Sequence, residues 1–243
     1  MKKLIFLCAM SIFLAVPHRG FVFAQRTGGE SICSRIAAHR EKIHAELADE
    51  KGQLAERRLG EQERLLQERQ KQDESYFSAR DSADRAFKNQ LEKLRERAGK
   101  NPARLDAIDT FETSVLRARK TYRTRITEIV IMFRKQIDDI IESRRLDLES
   151  VQEVRRKGFD DAIAQAEQAC VKGVPSSSSI QATLKEQLRA LRSTFQTSLQ
   201  SAEQKARDNH KNAIEERKSA LLFARETRRT ILEQTAQEFQ DAW

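Results

Sequence analysis

The sequence predicts an all-α protein, an elongated antiparallel three-helix bundle with an eleven-residue (hendecad) hydrophobic repeat. Three observations lead there: apolar rows that recur every eleven residues, two clusters of helix breakers, and near-equal lengths of chain between them. The clearest rows lie between Arg104 and Cys170. Val115, Ile126, Ile137, Leu148, Phe159 and Cys170 form one; Ala118, Ile129, Ile140, Val151 and Ala162 form a second; Tyr122, Phe133, Arg144, Arg155 and Ala166 form a third. Eleven residues make almost three whole helical turns, so these rows share one face of a continuous helix. A period of ~3.67 residues per turn gives a seam that runs nearly straight or coils slightly right-handed.

Residues 1–24 read as an export signal. Lys2 and Lys3 supply the basic start, Leu4 to Val16 the apolar core, and Val22-Phe23-Ala24 a small-residue cleavage site before Gln25. The apolar run is too short for a permanent bilayer span; a retained amphipathic anchor is the alternative. Glu30-Ser31-Ile32 before Cys33 is the wrong setting for lipid attachment. The expected product is exported, periplasmic or extracellular, and soluble after cleavage, with 25–30 as a flexible N-terminal tail.

Cleavage would remove Lys2, Lys3 and Arg19 and no acid, lowering the net charge from +8 to +5. Three prolines, eight glycines and 34% charged residues suit long helices, while 39% apolar residues can still line narrow seams.

The breakers are Gly99-Lys100-Asn101-Pro102, a helix stop, a turn and a proline suited to a helix start, and Lys172-Gly173-Val174-Pro175 followed by Ser176 to Ser179. They divide residues 31–243 into helices of about 31–98, 103–171 and 179–242. The first repeats the period through Ile32, Ile43, Leu54, Leu65, Tyr76, Phe87 and Ala98, beside a row of Ile36, Leu47, Arg58, Arg69, Arg80 and Leu91. The third does so through Leu188, Leu199, His210, Leu221, Leu232 and Trp243, with Leu184 and Phe195 beside them. A shared period predicts a shared core, with the helices running up, down and up.

A hairpin turning between residues 101 and 102 pairs positions whose numbers sum to about 203, and Cys33 and Cys170 meet that condition. In an oxidising compartment this predicts a Cys33–Cys170 disulfide closing the open end of the hairpin. Arg58, Arg69, Arg144 and Arg155 interrupt the rows near the middle, with Glu56 and Glu61 expected within reach of Arg144. They are either stems lying along the seam with heads in water or a polar layer that fixes register or receives a ligand. Either way the middle is expected to be looser than the ends.

Between Glu112 and Glu128 no acid occurs, and Arg117, Arg119, Lys120, Arg123 and Arg125 fall in that run. A third helix turning back at about 175–176 brings Arg225, Arg228 and Arg229 alongside. This basic patch is a candidate site for phosphate, anionic lipid headgroups or nucleic acid. Against it, charge is nearly balanced over 25–102, 103–171 and 172–243, at +2, 0 and +3 from 17, 13 and 12 basic against 15, 13 and 9 acidic residues. No aromatic interleaving is present to stack bases.

Catalytic and metal chemistry is not expected. His39 and His44 are five apart and diverge around a helix, and His210 reads as a tolerated core histidine or, as the lesser reading, a pH switch. Asp138-Asp139 and Asp160-Asp161 are adjacent and point in different directions. There is no glycine-rich phosphate loop, and a slender rod offers little concavity for catalysis. No enzyme activity, cofactor, metal or small-molecule substrate is expected.

The export signal, the Cys-Ser-Arg-Ile opening at 33–36 and the charged helices punctuated by phenylalanine resemble a set of uncharacterised exported all-helical, coiled-coil-like proteins of candidate phyla radiation bacteria. The resemblance spans residues 25–243, is one of style, and implies no activity. A weaker likeness is to Skp-type periplasmic chaperones, although the β-strand body of those proteins has no counterpart here. The period is also similar to that of exchangeable apolipoproteins, with arginine and glutamate interrupting the stripe. The expected function is a structural or adhesive cell-envelope spacer or protein-interaction module, with another envelope or surface protein as partner and homo-oligomerisation compatible with it. A periplasmic holdase-type chaperone is the alternative, and a binder of anionic lipid or nucleic acid the second alternative.

Overall fold

A computed structural model describes residues 32–172 and 176–243. The export-signal, tail and loop readings at 1–24, 25–30 and 173–175 lie outside the described residues, as do the side chains of His39 and Leu54. Helix α1 is Ile32–Ala98, α2 is Pro102–Lys172 and α3 is Ser177–Ala242. At 67, 71 and 66 residues, each is roughly 100 Å long.

Local chemistry sets the ends. Gly99 takes φ +59°, the left-handed conformation that glycine adopts without steric cost, and its N–H donates to the Arg95 carbonyl at 3.2 Å. Asn101 then caps α2: its Oδ1 accepts from the N–H groups of Ala103 and Arg104 at 3.1 and 3.3 Å. Pro102 occupies the first helical position, where its missing N–H costs nothing. At the head of α3, Ser176 caps through its hydroxyl, which accepts from Ser179 N–H.

The expected three-helix bundle around one shared core is corrected. The structure is an all-α elongated domain with four helices in its count, three of them among the described residues. Breaker clusters mark the turns between three segments and carry no information on a helix beyond them. The three described helices also pack unequally. α2 and α3 lie together along their length, α1 rests more lightly on α2, and α1 touches α3 little.

The buried apolar residues consequently form separate clusters. Near the disulfide, Ile36 and Ile43 of α1 meet Phe159, Ala162, Ile163 and Ala166 of α2 and Ile180 and Leu184 of α3. Near the first turn, Leu91, Ala98 and Ile108 are buried with Phe87, Leu94, Leu105, Phe111 and Phe239 packed against them. Between these ends, Ile126, Ile129 and Ala224 form a cluster built by α2 and α3 alone. Among the described side chains of α1, none between Ile43 and Leu91 is buried. The physical reason is in the rows themselves. Where Arg58, Arg69 and Arg80 replace aliphatic residues, α1 has little apolar area to bring to a common core.

Candidate functional site

Cys33 and Cys170 are joined, with Cα atoms 5.9 Å apart. From this link a ladder of ion pairs runs down the α1–α2 face. Arg40 meets Glu167, Arg58 meets Glu149 at 3.0 Å, Arg69 meets Asp138 at 2.7 Å, and Asp73 meets Arg134 at 2.6 Å; further down, Asp84 meets Arg123 and Arg95 meets Glu112 at 2.6 Å. The residue numbers add up to 207 in each of these six pairs, so all six report one register. The middle arginines Arg58 and Arg69 are therefore rungs between helices, not stems with heads in bulk water. Asp138 joins Arg69 in a two-bond fork, and Asp160 lies 3.1 Å from His44.

The α2–α3 face uses a different device. Arg228 stacks over Tyr122, Arg217 over Phe133, and Arg155 over Phe195, with centroid distances of 4.9, 4.6 and 4.6 Å. Phe111 and Phe239 pair at 4.7 Å in the same series. Residue numbers add up to 350 in all four, spaced by multiples of the eleven-residue period. The arginine that breaks the series, Arg144, was expected beside Glu56 and Glu61; it pairs instead with Glu203 of α3 at 2.6 Å. The third row of α2 turns toward α3. Desolvation beneath the stack lowers the pKa of Arg217, with the charge of Arg134 adding to the effect.

A seam not singled out in the sequence is buried on α3 alongside Leu184, which was: Ile180, Ala202, Ala213, Ala224 and Thr235 lie at intervals of eleven or twenty-two residues. The leucine row chosen there, with His210 in it, is only half-buried. Small residues let α3 approach α2 closely, and Thr235 keeps its hydroxyl satisfied by donating to the Ile231 carbonyl at 2.8 Å. Alanine is a weak hydrophobicity signal, so the flanking leucines stood out instead.

The basic patch divides. Arg119 and Arg123, four apart, both turn to Asp84 of α1, which supplies the acid missing from their own stretch of α2. Arg119 also lies over the Phe87 ring at 4.1 Å. Arg117 and Arg125 are two residues away on either side and so project elsewhere; Arg125 pairs with Glu128 of its own helix, and Arg117 and Lys120 are exposed. On α3, Arg229 meets Glu233 at 3.6 Å, while Arg225, Arg228, Arg229, Leu232, Glu233 and Ala236 line an open hollow of about 390 Å³. The hydrogen bond to Arg123 holds the Asp84 carboxyl below its usual pKa, helped by the charges of Arg119 and Arg80. Burial lowers the pKa of Arg119, and the nearby charges of Arg123 and Arg228 lower it further.

Among the described residues, no group of three or more His, Cys, Asp or Glu side chains is placed to hold a metal ion, and no helix is long and apolar enough to cross a membrane. No family model, curated protein or solved structure matches this chain.

Proposed function

We propose that the protein is a non-enzymatic, exported helical rod that acts as a structural or adhesive cell-envelope spacer or protein-interaction module. The observation that carries this reading is the keyed hairpin. Two helices of roughly 100 Å are joined covalently at the Cys33–Cys170 end and registered below it by six ion pairs of one offset. Such a construction resists sliding and fraying, which suits an element that holds a distance or presents a surface at one end. The partner is another envelope or surface protein.

A native pull-down from envelope extract with the tagged protein, at low and then physiological salt, tests the proposal. One co-purifying surface protein that survives the salt, and rebinds when purified, supports the spacer or adhesin reading. A broad mixture of unfolded exported polypeptides overturns it in favour of a holdase. That second reading draws on large exposed apolar side chains along the rod, among them Leu66, Phe77, Ile131 and Met132. These are the kind of surface that captures unfolded chains.

A further inference from the structure

We propose that the face of the α1–α2 hairpin turned away from α3 is a self-association surface, on which a second copy of this chain packs in parallel. This goes beyond the spacer reading, and purified protein tests it without any envelope partner.

Helix geometry decides which residues share that face. On α2, the positions that meet α1 (Arg134, Asp138 and Glu149) lie between those that meet α3, Phe133 and Arg144, and the pair Ile131 and Leu146 on the far side. On α1, Leu59, Leu66 and Phe77 are turned from Arg69 and Asp73 in the same rotational sense. Because α1 and α2 are antiparallel, that common sense carries both sets to one side of the hairpin. These five side chains are between 52% and 63% exposed. They fall where no described side chain of α1 is buried, so the apolar area that α1 withholds from the core is presented outward. Contiguous apolar surface of this kind marks an interaction site.

A second copy fits because the face is self-complementary. In the register where residue numbers add up to 207, Leu59 is level with Leu146 and Phe77 with Ile131, each to within two residues. A two-fold axis along the rod lays α1 of one copy on α2 of the other at the same height. Leu59 then meets Leu146, and Phe77 meets Ile131, of the second copy. Charge agrees. Glu74 and Lys135 are exposed on this face, are level to within two residues, and make no ion pair among the described residues. Glu74 only accepts a hydrogen bond from Gln70 of its own helix. The same axis sets each against the other in the second copy. An antiparallel copy centred on the same side chains sets Glu63 against Glu74, like charge on like. It offers Lys135 only Glu142, which Arg145 already answers. Toward the first turn the patch ends at Lys88 and Lys120, exposed and level, where a parallel copy would meet like charge. From Leu59 to Phe77 the patch is about 27 Å long and two helices, about 20 Å, wide, roughly 500 Å² per copy. Twice that area reaches the lower bound of about 1,000 Å² for a specific interface, which suits a reversible dimer of micromolar affinity.

Sedimentation velocity of the full chain over a concentration series reads the association. A reversible monomer–dimer equilibrium in the micromolar range is expected. Phe77→Glu should weaken it by about tenfold, by setting a charge against Ile131 of the second copy. Phe223→Glu, at an exposed aromatic of α3 outside the face, should leave it unchanged. Both sites are exposed, and circular dichroism verifies that each variant retains its helices. Lys135→Glu should also weaken the dimer, and adding Glu74→Lys to it should recover the loss, because the parallel arrangement sets these two residues together. A double variant no better than Lys135→Glu would overturn the parallel arrangement. Equal weakening by Phe77→Glu and Phe223→Glu would mean non-specific apolar association and overturn the proposal. A chain that stays monomeric throughout the series would overturn it too, and capture of an envelope protein or of unfolded chains through Phe77 would then assign the face to that partner.

Discussion

Arg95 and Glu112 show how much one pair can decide. An eleven-residue repeat is compatible with sliding α1 past α2 by one whole period, because the apolar rows would still meet. In the observed register Asp73 and Asp84 on α1 face Arg134 and Arg123 on α2, but at the next rung the polarity reverses, with Arg95 facing Glu112. A slip of one repeat in either direction sets Arg95 against Arg123 or Asp84 against Glu112. Like charges across a partly shielded interface then oppose the slip. Each half-exposed pair contributes only ~0–1 kcal/mol to stability, so their value lies in selecting the register. Glu112→Arg should lower the thermal midpoint by more than Glu112→Gln, and Arg95→Glu added to Glu112→Arg should recover most of the loss; a double variant no better than Glu112→Arg would refute the pairing. Asp84 sets a pH dependence. Its folded pKa lies below the ordinary value of 3.8, so its contribution is present above about pH 4 and is lost as pH falls through the lowered value. Stability followed from neutral pH to pH 2 should fall less steeply at the acid end in Asp84→Asn than in the native chain, from a neutral-pH baseline already lower by roughly 1 kcal/mol.

Among the elements, α1 is the one held by least. Its glycines make the point. A Cβ added at Gly52 or Gly60 meets nothing within 4 Å, so Gly52→Ala and Gly60→Ala should each stabilise by about 0.5–1 kcal/mol through helix propensity alone. Gly158 on α2 is different. A Cβ there would come within 2.7 Å of Leu191 Cδ1, so the Leu191 side chain must shift, and Gly158→Ala should stabilise less than either α1 substitution. Gly99→Ala should destabilise by about 1 kcal/mol, because the αL position favours glycine. Along α3, Ala224→Leu should cost about 1–3 kcal/mol by overpacking the seam with α2, whereas Phe223→Ala, at an exposed neighbour, should change little. Denaturant midpoints measure all of these, and equal effects at positions 223 and 224 would show that the alanine seam is not tightly packed.

At the scale of the whole molecule, stability should be graded along the rod. Both ends join all three described helices through apolar side chains, whereas in between α1 is held to α2 largely by exchangeable ion pairs. Hydrogen exchange should be slowest near residues 36–43, 91–108 and 159–166 and faster in α1 between about 52 and 80. Slowest exchange at 140–155 would contradict this gradient. The disulfide closes a loop across a sequence separation of 137, and the chain-entropy model gives it about 5 kcal/mol. Reduction should therefore lower the thermal midpoint and accelerate exchange first in the opening turns of α1, ahead of α2 and α3. Uniform acceleration would mean that the link stabilises the molecule without specifically anchoring α1.

Helicity, the first turn and the meeting of Cys33 with Cys170 were all legible in the chain. Each rests on a local or periodic property: an apolar spacing near 3.67, a glycine and a proline bracketing a turn, and a hairpin whose position fixes which residues lie opposite one another. Less legible was what the polar residues inside the rows would do. Arg58 and Arg69 turn to acids of α2, Arg144 to an acid of α3, and Arg155, Arg217 and Arg228 to aromatic rings. A guanidinium at the end of a long stem can answer a carboxylate or a ring on any neighbouring helix, and spacing along one helix does not name the neighbour. The candidate site follows the same rule: the basic run on α2 and the arginines of α3 beside it could be read directly, but its partial neutralisation by Asp84 of α1 could not. Periodicity determined which residues share a face; only the tertiary structure decided which faces meet, because that choice depends on the apolar area and charge each helix brings to the others.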